Sequence, residues 1–517
     1  MTQQVNSVRW CLALLVGALC MALSVGAYAM KLPTPGSCES LVASGTGHTT
    51  IESAIWVDAA APVPAHCLVE GFVETGNPAV GLNHVNFRAW LPLPWNGKFH
   101  MQGGGGFAGV LPDASAALLR NYADIGTDTG HQAGVIDASW AQDNPTAVID
   151  FGYRSVHVTA VAGKQLVKDF YGSKPLYSYF EGCSRGGGQA MMESQRYPHD
   201  FDGIVAGAPA FDWSAFMTGF ADTQQHMYPD PNDLSTPALP LAKLPVLEAL
   251  IDASCDAVDG LIDGIIDDPR QCTFDPDVDI PVCPAGSPNC LTEDEISAVK
   301  AVYEGPSNSD GQIFPGFPVG NEGHVFAWAL WIVGIEDLFG PGIPNYQFGF
   351  ADSFFRFMAF ADNDDGSFGL HDFDLEDFDD LQPIGEILNA TDTDLRRFAR
   401  HGKIIYWNGW SDAAITALGT IQYFEALTGG PQQSVEDFAR LYLAPGMQHC
   451  LGGEGPNQFD MLTELENWVE LGKPPAEVIA TNPETGMTRP LCPYPQVARY
   501  DGSGSTNDAE NFDCVNP

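Results

Sequence analysis

Positive charge is what this chain has least of. Lys and Arg together number 23 against 66 Asp and Glu, a formal net charge of −43 over 517 residues. A surface of that sign repels phosphates, which excludes nucleic acid as a main partner. It favours solubility and says little about chemistry. Cys-x-x-Cys is missing as well, which argues against zinc. Beyond the first 29 residues no segment approaches about eighteen uninterrupted apolar positions, so no membrane insertion is expected of the mature chain. Internal repeats are absent, and the only biased stretches are acidic patches such as 374–380.

Apolar material is plentiful. Hydrophobic residues make up 45% of the chain, with 30 Phe and 11 Trp, enough for a sizeable core. The length predicts two or more core-forming units, or one large domain with an insertion. Arg9, the apolar run Trp10 to Val25 and the small-x-small triplet Ala27-Tyr28-Ala29 read as a signal peptide over 1–29, cut before Met30. A membrane anchor is the alternative. The mature protein is therefore expected to be secreted or periplasmic.

Export changes the meaning of the cysteines. Of the 12, Cys11 and Cys20 leave with the leader, and an even number remains for an oxidising compartment. Many pairings are open to them. Proximity favours Cys38–Cys67, Cys255–Cys272, Cys283–Cys290 and Cys492–Cys514, which leaves Cys183 and Cys450 far apart along the chain.

From Cys67 onward, strand-like runs alternate with helical ones. Candidates are HCLVEGFVET, HVNFRAWLP, GKFHMQGG and YADIGTDTGH, then a helix around 153–171, a strand at 175–181, a helix at 186–196 and a buried strand at 203–210. The rhythm stops after Asp212-Trp213 and resumes with a strand at 402–410, a helix at 412–427 and a strand within 439–450. The expected fold class is α/β, with a mostly parallel sheet covered by helices on both faces. The expected organisation is a first part over 30–213, an inserted lid over 214–398 and a second part over 399–517.

Gly182-Cys183-Ser184-Arg185-Gly186 fits G-x-S-x-G between a strand and a helix, the turn that exposes a serine hydroxyl at a sheet edge. A glycine-rich structural turn is the alternative. A serine hydroxyl needs a base, and the base needs an orienting carboxylate. Asp412 and His449 each follow a strand, in the order this arrangement uses. Asp412 could instead cap a helix, and His449 could be an ordinary loop histidine. His66 competes as base but precedes its strand. His157, His199, His371 and His401 lack the loop-after-strand setting. For the oxyanion the candidates are the backbone N–H of Arg185 and one from the Gly103–Gly106 run, at Gly105 or Gly106. The Arg185 guanidinium has no evident task beyond facing an acid of the sheet or the lid. A Cys183–Cys450 disulfide would tie the nucleophile and base loops together. Two buried free thiols are the alternative.

Cys183-Ser184, Asp412 and His449-Cys450, with the Gln-Gly-Gly-Gly-Gly loop, the APAFDW stretch and the cysteine-bearing insertion, resemble the tannase and feruloyl esterase family of α/β-hydrolases. The resemblance implies that fold with a large lid, the cysteine pairing beside the triad, and a structural Ca²⁺ in the lid. By the same resemblance the ligands are the side chains of Asp256, Asp259 and Asp263 with the carbonyls of Leu261 and Ile265. Carboxylates and carbonyls suit a hard cation. The competing reading is a solvated acidic loop closed by Cys255–Cys272. Two positions depart from the family pattern: Arg185, where an uncharged or acidic residue is usual, and Ala413, where proline is frequent.

The function expected is a secreted serine carboxylester hydrolase acting on aromatic-acid esters: feruloyl, galloyl or terephthalate-type, including esters from plant polymers. Phe354, Phe355, Phe357, Phe360, Trp328 and Trp331 are candidate pocket walls, with lid core as the alternative for each. Arg356, Arg396 and Arg397 are the cations available to a carboxylate-bearing substrate. The rivals are a lipase or peptidase on the same scaffold, a non-catalytic calcium-stabilised binding protein, and a carbohydrate-binding protein.

Overall fold

The strands that carry the site are apolar on both faces, the signature of a sheet covered by helices on either side. The computed structural model describes residues 33–107, 109–113, 116–335, 342–361, 368–430 and 434–517. The expected signal peptide lies outside these residues. The strands of the main sheet are β1 (Thr49–Val57), β2 (Ala65–Asn77), β3 (Gly81–Leu93), β4 (Lys98–Gln102), β5 (Ala123–Thr127), β6 (Tyr177–Cys183), β7 (Gly203–Gly207), β8 (Lys403–Gly409) and β9 (Ala439–Ala444). Their spatial order is β1-β2-β3-β5-β4-β6-β7-β8-β9. From β5 across to β9 every neighbouring pair is parallel. The β1–β2, β2–β3 and β3–β5 pairs are antiparallel. The sheet is thus mostly parallel, as expected.

One face packs Phe99, Met101, Phe180, Ile204 and Tyr406 against helices α1 (Ser155–Tyr171) and α2 (Arg185–Arg196). The other packs Tyr179, Val205, Ile405 and Trp407 against helices α3 (Trp213–Met227) and α4 (Tyr346–Phe354) and residues Leu462, Leu465 and Trp468 of a helix near the C-terminus. No strand of this sheet lies between Gly207 and Lys403 among the described residues. A third core, built around Leu247, Ile251, Val299, Trp328 and Ile332, sits within that intervening stretch. No helix among the described residues is long and apolar enough to cross a membrane.

Some boundaries differ from the sequence reading. The sheet starts earlier, at Thr49, where a register shift between Ile51 and Ser53 breaks the alternation that would mark a strand. The helix expected at 412–427 begins at Ala417, because Thr416 caps it with its hydroxyl on the Leu418 amide. The strand expected at 203–210 ends at Gly207. Two small hairpins close the C-terminus, Val478–Thr481 with Thr488–Leu491 and Val497–Tyr500 with Phe512–Val515.

Candidate active site

Strand β6 ends at Cys183 and α2 begins at Arg185, so the turn between them is one residue, Ser184. Its φ of 62° and ψ of −123° lie where non-glycine residues are rarely found. Two bonds hold it there: its N–H donates to the Gly207 carbonyl at 3.0 Å, and its carbonyl accepts from Ala210 N–H at 3.0 Å. The glycines that follow permit the close approach. A Cβ at Gly187 would lie 2.2 Å from the Gly207 carbonyl oxygen, and one at Gly188 2.0 Å from that of Ala210.

Asp412 lies just past the end of β8 and is buried. Its Oδ1 accepts from the amides of Ala414 and Ile415, both at 2.8 Å. Those bonds aim Oδ2 at His449, whose Nδ1 stands 2.9 Å away. A carboxylate only accepts, so Nδ1 carries the proton and Nε2 keeps its lone pair. The next helix starts at Ala417 and Thr416 caps it, so Asp412 is not a helix cap. Among the described residues the imidazole bonds Asp412 and not Ser184. What brings the two loops together is the Cys183–Cys450 disulfide, with Cα atoms 5.9 Å apart across 267 positions. Trp331 adds a second link: its ring meets the His449 ring edge-on at 5.0 Å, and it lines one cavity with Ser184. The competing histidines are engaged elsewhere: His66 on the Pro64 carbonyl, His157 on Asp200, His371 on the Tyr228 carbonyl, and His199 stacked on His401.

That cavity is walled by Trp213, Phe216, Phe220, Trp331 and Phe350, with Gly106 and Arg185 beside the serine. Of the six aromatic residues expected in the wall, only Trp331 is there. Trp328 belongs to the core of the intervening stretch, Phe354 and Phe355 are fully buried against the second face of the sheet, and Phe357 and Phe360 pack against that same core. The walls that sequence reasoning missed carried a signal. Trp213, Phe216 and Phe220 follow the i, i+3, i+7 spacing of one helix face. Gly103 and Gly104 spend their amides on the Glu181 carbonyl and Gln189 Oε1, both at 2.9 Å, whereas those of Gly105 and Gly106 make no bond among the described residues. Gly106 faces the serine cavity; Gly105 faces a separate cleft beyond the disulfide.

Among the described residues Arg185 faces no acid. Its guanidinium donates through Nη2 to the carbonyls of Phe151 and Gly152 and stacks on the Phe151 and Trp213 rings. Of the cations expected to meet a substrate carboxylate, Arg356 pairs with Asp352 and Arg396 with Asp394, and Arg397 is exposed.

Residues 67–515 match the family model described as tannase and feruloyl esterase. This chain belongs to that family. The chain is 35% identical to a mono(2-hydroxyethyl) terephthalate hydrolase of Piscinibacter sakaiensis, over 94% of this chain and 92% of that one. It is 34% identical to a probable feruloyl esterase of Arthroderma benhamiae, over 84% of each. Its fold superposes on the crystal structure of feruloyl esterase B from Aspergillus oryzae with a TM-score of 0.82 at 26% identity, covering 93% of this chain and 100% of that one. Like the tannase and feruloyl esterase family as a whole, it is a carboxylic ester hydrolase on the α/β-hydrolase fold.

All five cysteine pairs read from the sequence are formed: Cys38–Cys67, Cys183–Cys450, Cys255–Cys272, Cys283–Cys290 and Cys492–Cys514. The pair beside the serine invites a direct test. Replacing Cys183 and Cys450 together by serine is expected to lower kcat/KM about 100-fold, since a displacement of about 1 Å at the reacting groups costs that much. It should also remove about 2–5 kcal/mol of stability. Ester turnover and denaturant midpoints measure the two losses separately, and unchanged turnover would reduce the bridge to a stability role.

The acidic loop in the intervening stretch is held from within. Asp256 Oδ1 accepts from the Asp263 and Gly264 amides at 3.1 and 3.0 Å, Asp259 Oδ1 from Leu261 at 2.9 Å, and Asp263 Oδ1 from Ile265 at 3.2 Å. Arg489, from the first C-terminal hairpin, pairs with Asp263 at 3.0 Å and Asp267 at 3.2 Å. Burial, with Asp256 and Glu454 nearby, pushes the Asp252 carboxyl up to about 6. One guanidinium does not balance these acids, and the donor atoms are hard oxygens, so charge and chemistry suit a divalent cation. Among the described residues no three His, Cys, Asp or Glu side chains yet converge as one ligand group. A cation here would need the Asp carboxylates turned toward a common point.

Proposed function

We propose that this enzyme is an exported serine esterase that cleaves esters of aromatic acids through an acyl-enzyme. The observation that carries the reading is the buried Asp412–His449 pair, tied through Cys450–Cys183 to a serine held at positive φ. Ser184 Oγ attacks the ester carbonyl as His449 Nε2 takes its proton. The tetrahedral oxyanion accepts from the Arg185 N–H at the start of α2 and from Gly106 N–H; Gly105, the other candidate, opens onto the wrong cleft. Collapse expels the alcohol with the proton from His449, and water repeats the sequence to release the acid. Asp412 keeps the ring in the tautomer this requires. The aromatic side chains beside Ser184 favour an aromatic acyl group, feruloyl, galloyl or terephthaloyl, the first and last of them named for relatives; the cavity has room for only about 20 Å³, so its walls must part to take the ring. Five disulfides support an oxidising destination, outside the cell or in the periplasm.

The direct test is turnover of methyl ferulate, methyl gallate and a terephthalate monoester, with labelling by a serine-reactive phosphonate. A protein that is labelled at Ser184 and hydrolyses at least one of the three supports the reading; one that is neither labelled nor active refutes it. Preference for a peptide or a long-chain acylglycerol would move it to the peptidase or lipase alternatives.

In the same reading the 256–265 loop holds a structural Ca²⁺ through Asp256, Asp259 and Asp263 and the carbonyls of Leu261 and Ile265. Its effect is to neutralise the loop. Adding EDTA is expected to lower Tm by on the order of a few degrees, and Ca²⁺ in excess to restore it, because a ligand of the folded state alone stabilises by mass action. A Tm indifferent to both reagents would leave a solvated loop closed by Cys255–Cys272.

A further inference from the structure

The loop that leaves β4 runs from Gly103 to Phe107 and brings Gly106 to the serine cavity. A run of glycines has no side chains to pack and many conformations open to it. Here it is fastened at both ends. From α2 the buried Gln189 accepts the Gly104 N–H on Oε1 at 2.9 Å, beside the Gly103 N–H on the Glu181 carbonyl at 2.9 Å. At the far end Phe107 donates its N–H to the Val135 carbonyl at 2.9 Å, and its own carbonyl meets His131 Nε2 at 2.5 Å. A carbonyl only accepts, so Nε2 carries the proton. Burial pulls the His131 pKa down to about 4, so the ring is neutral, and it lies on the Trp140 ring at 3.6 Å. Between the fastenings Gly106 has a φ of 56°, and a Cβ there would lie 2.5 Å from the Val135 carbonyl oxygen. Packing of the Phe107 ring against Phe151, Trp213 and Phe350 fixes where the loop ends. It does not fix how the peptide planes are turned; the hydrogen bonds do that. An oxyanion donor earns its effect by being aimed before the charge forms.

We infer that Gln189 and His131 are positioning residues for ester cleavage, pinning the glycine loop from either end so that the Gly106 amide is already turned toward the forming oxyanion. The inference rests on the serine-esterase reading above and adds to it what holds the second oxyanion donor in place. Neither side chain lines the cavity beside Ser184. Gln189 acts through the Gly104 amide and His131 through the Phe107 carbonyl. Loss of either fastening lets the Gly106 peptide plane turn. That weakens the hold on the tetrahedral state and leaves binding of the planar ester unchanged, so the cost falls on kcat.

The experiment uses two pairs of variants on whichever ester of the panel above is cleaved. Gln189→Met removes the acceptor at similar length, and Gln189→Glu restores an acceptor oxygen. His131→Phe keeps a ring on Trp140 without the donor, and His131→Gln restores an N–H. Gln189→Met and His131→Phe should each lower kcat by about 10–100-fold, with KM within about threefold of wild type. The inhibition constant of phenylboronic acid, whose tetrahedral adduct on the serine puts an oxygen where the oxyanion forms, should rise by a similar factor. Gln189→Glu and His131→Gln should recover most of both losses. A merely structural role predicts a lower Tm with kcat and boronate inhibition unchanged in the folded protein, or a loss that the restoring variants do not repair. Either result, at either position, overturns the inference. If neither Gln189→Met nor His131→Phe folds, amide hydrogen exchange of the wild type decides. Gly104 and Phe107 protected about 100-fold or more over Gly105 and Gly106 supports the fastening, and uniform exchange along the loop refutes it. A wild type that is active and labelled at Ser184, with variants that keep its kcat, defeats this inference alone. A wild type with neither turnover nor phosphonate label defeats the esterase reading beneath it.

Discussion

Ser184→Ala is expected to lower kcat/KM on a cleaved aromatic ester by about 10⁴–10⁶-fold, with binding of the acid product retained. The size follows from what the hydroxyl does. In the proposed mechanism it is the atom that forms the acyl-enzyme; without it, His449 and the oxyanion donors would have nothing to activate or stabilise beyond a stray water. The residual rate measures what the donors and the cavity contribute on their own. Alanine keeps a Cβ at the same positive φ, so the backbone strain of 62° is no worse than in the parent, and Tm should move by little. The measurement is steady-state turnover alongside thermal unfolding. A Ser184→Ala protein that folds and still turns over within tenfold of wild type would place the nucleophile elsewhere.

The second large effect is at Asp412. Asp412→Asn is expected to cost about 10⁴-fold in kcat with the fold intact. The carboxylate accepts three hydrogen bonds: from Ala414 N–H and Ile415 N–H at 2.8 Å, and from His449 Nδ1–H at 2.9 Å. An asparagine can keep its oxygen on the two amides, but its NH₂ then faces Nδ1 as a donor. The ring must answer with the other tautomer, placing the proton on Nε2, where it blocks general-base action. Loss confined to kcat, with KM nearly unchanged, is the expected pattern. A kcat within about tenfold of wild type would mean that Asp412 only shapes the loop through its two amide bonds.

The chemistry-bearing residues were readable along the chain because covalent order and strand–turn grammar are local. Ser184 sits between an apolar run and a glycine-rich helix start, and Asp412 and His449 each follow a strand. Near-neighbour cysteines pair because short loops close easily, so four bridges followed from spacing and the fifth from what remained. The misses came where a side chain's direction mattered. Strand β1 was hidden by a one-residue register shift. The aromatic walls were sought at 354–360 and at Trp328 and Trp331; Trp331 is there, but Phe354 and Phe355 turn into the core, while the face of α3 that ends in Phe220 reaches the serine.

The chain alone set out the candidate serine, acid and base and their order, and made a Cys183–Cys450 bridge one of the open possibilities, because those properties lie in local pattern; the bridge itself formed only on folding. Packing of distant segments was needed to aim an Asp412 oxygen at His449, to bring Trp331 rather than Trp328 to the imidazole, to open Gly106 rather than Gly105 onto the serine, and to bury Arg185 with no acid beside it among the described residues. Each of these depends on the direction in which a side chain or amide points after distant segments have packed, which no local pattern encodes.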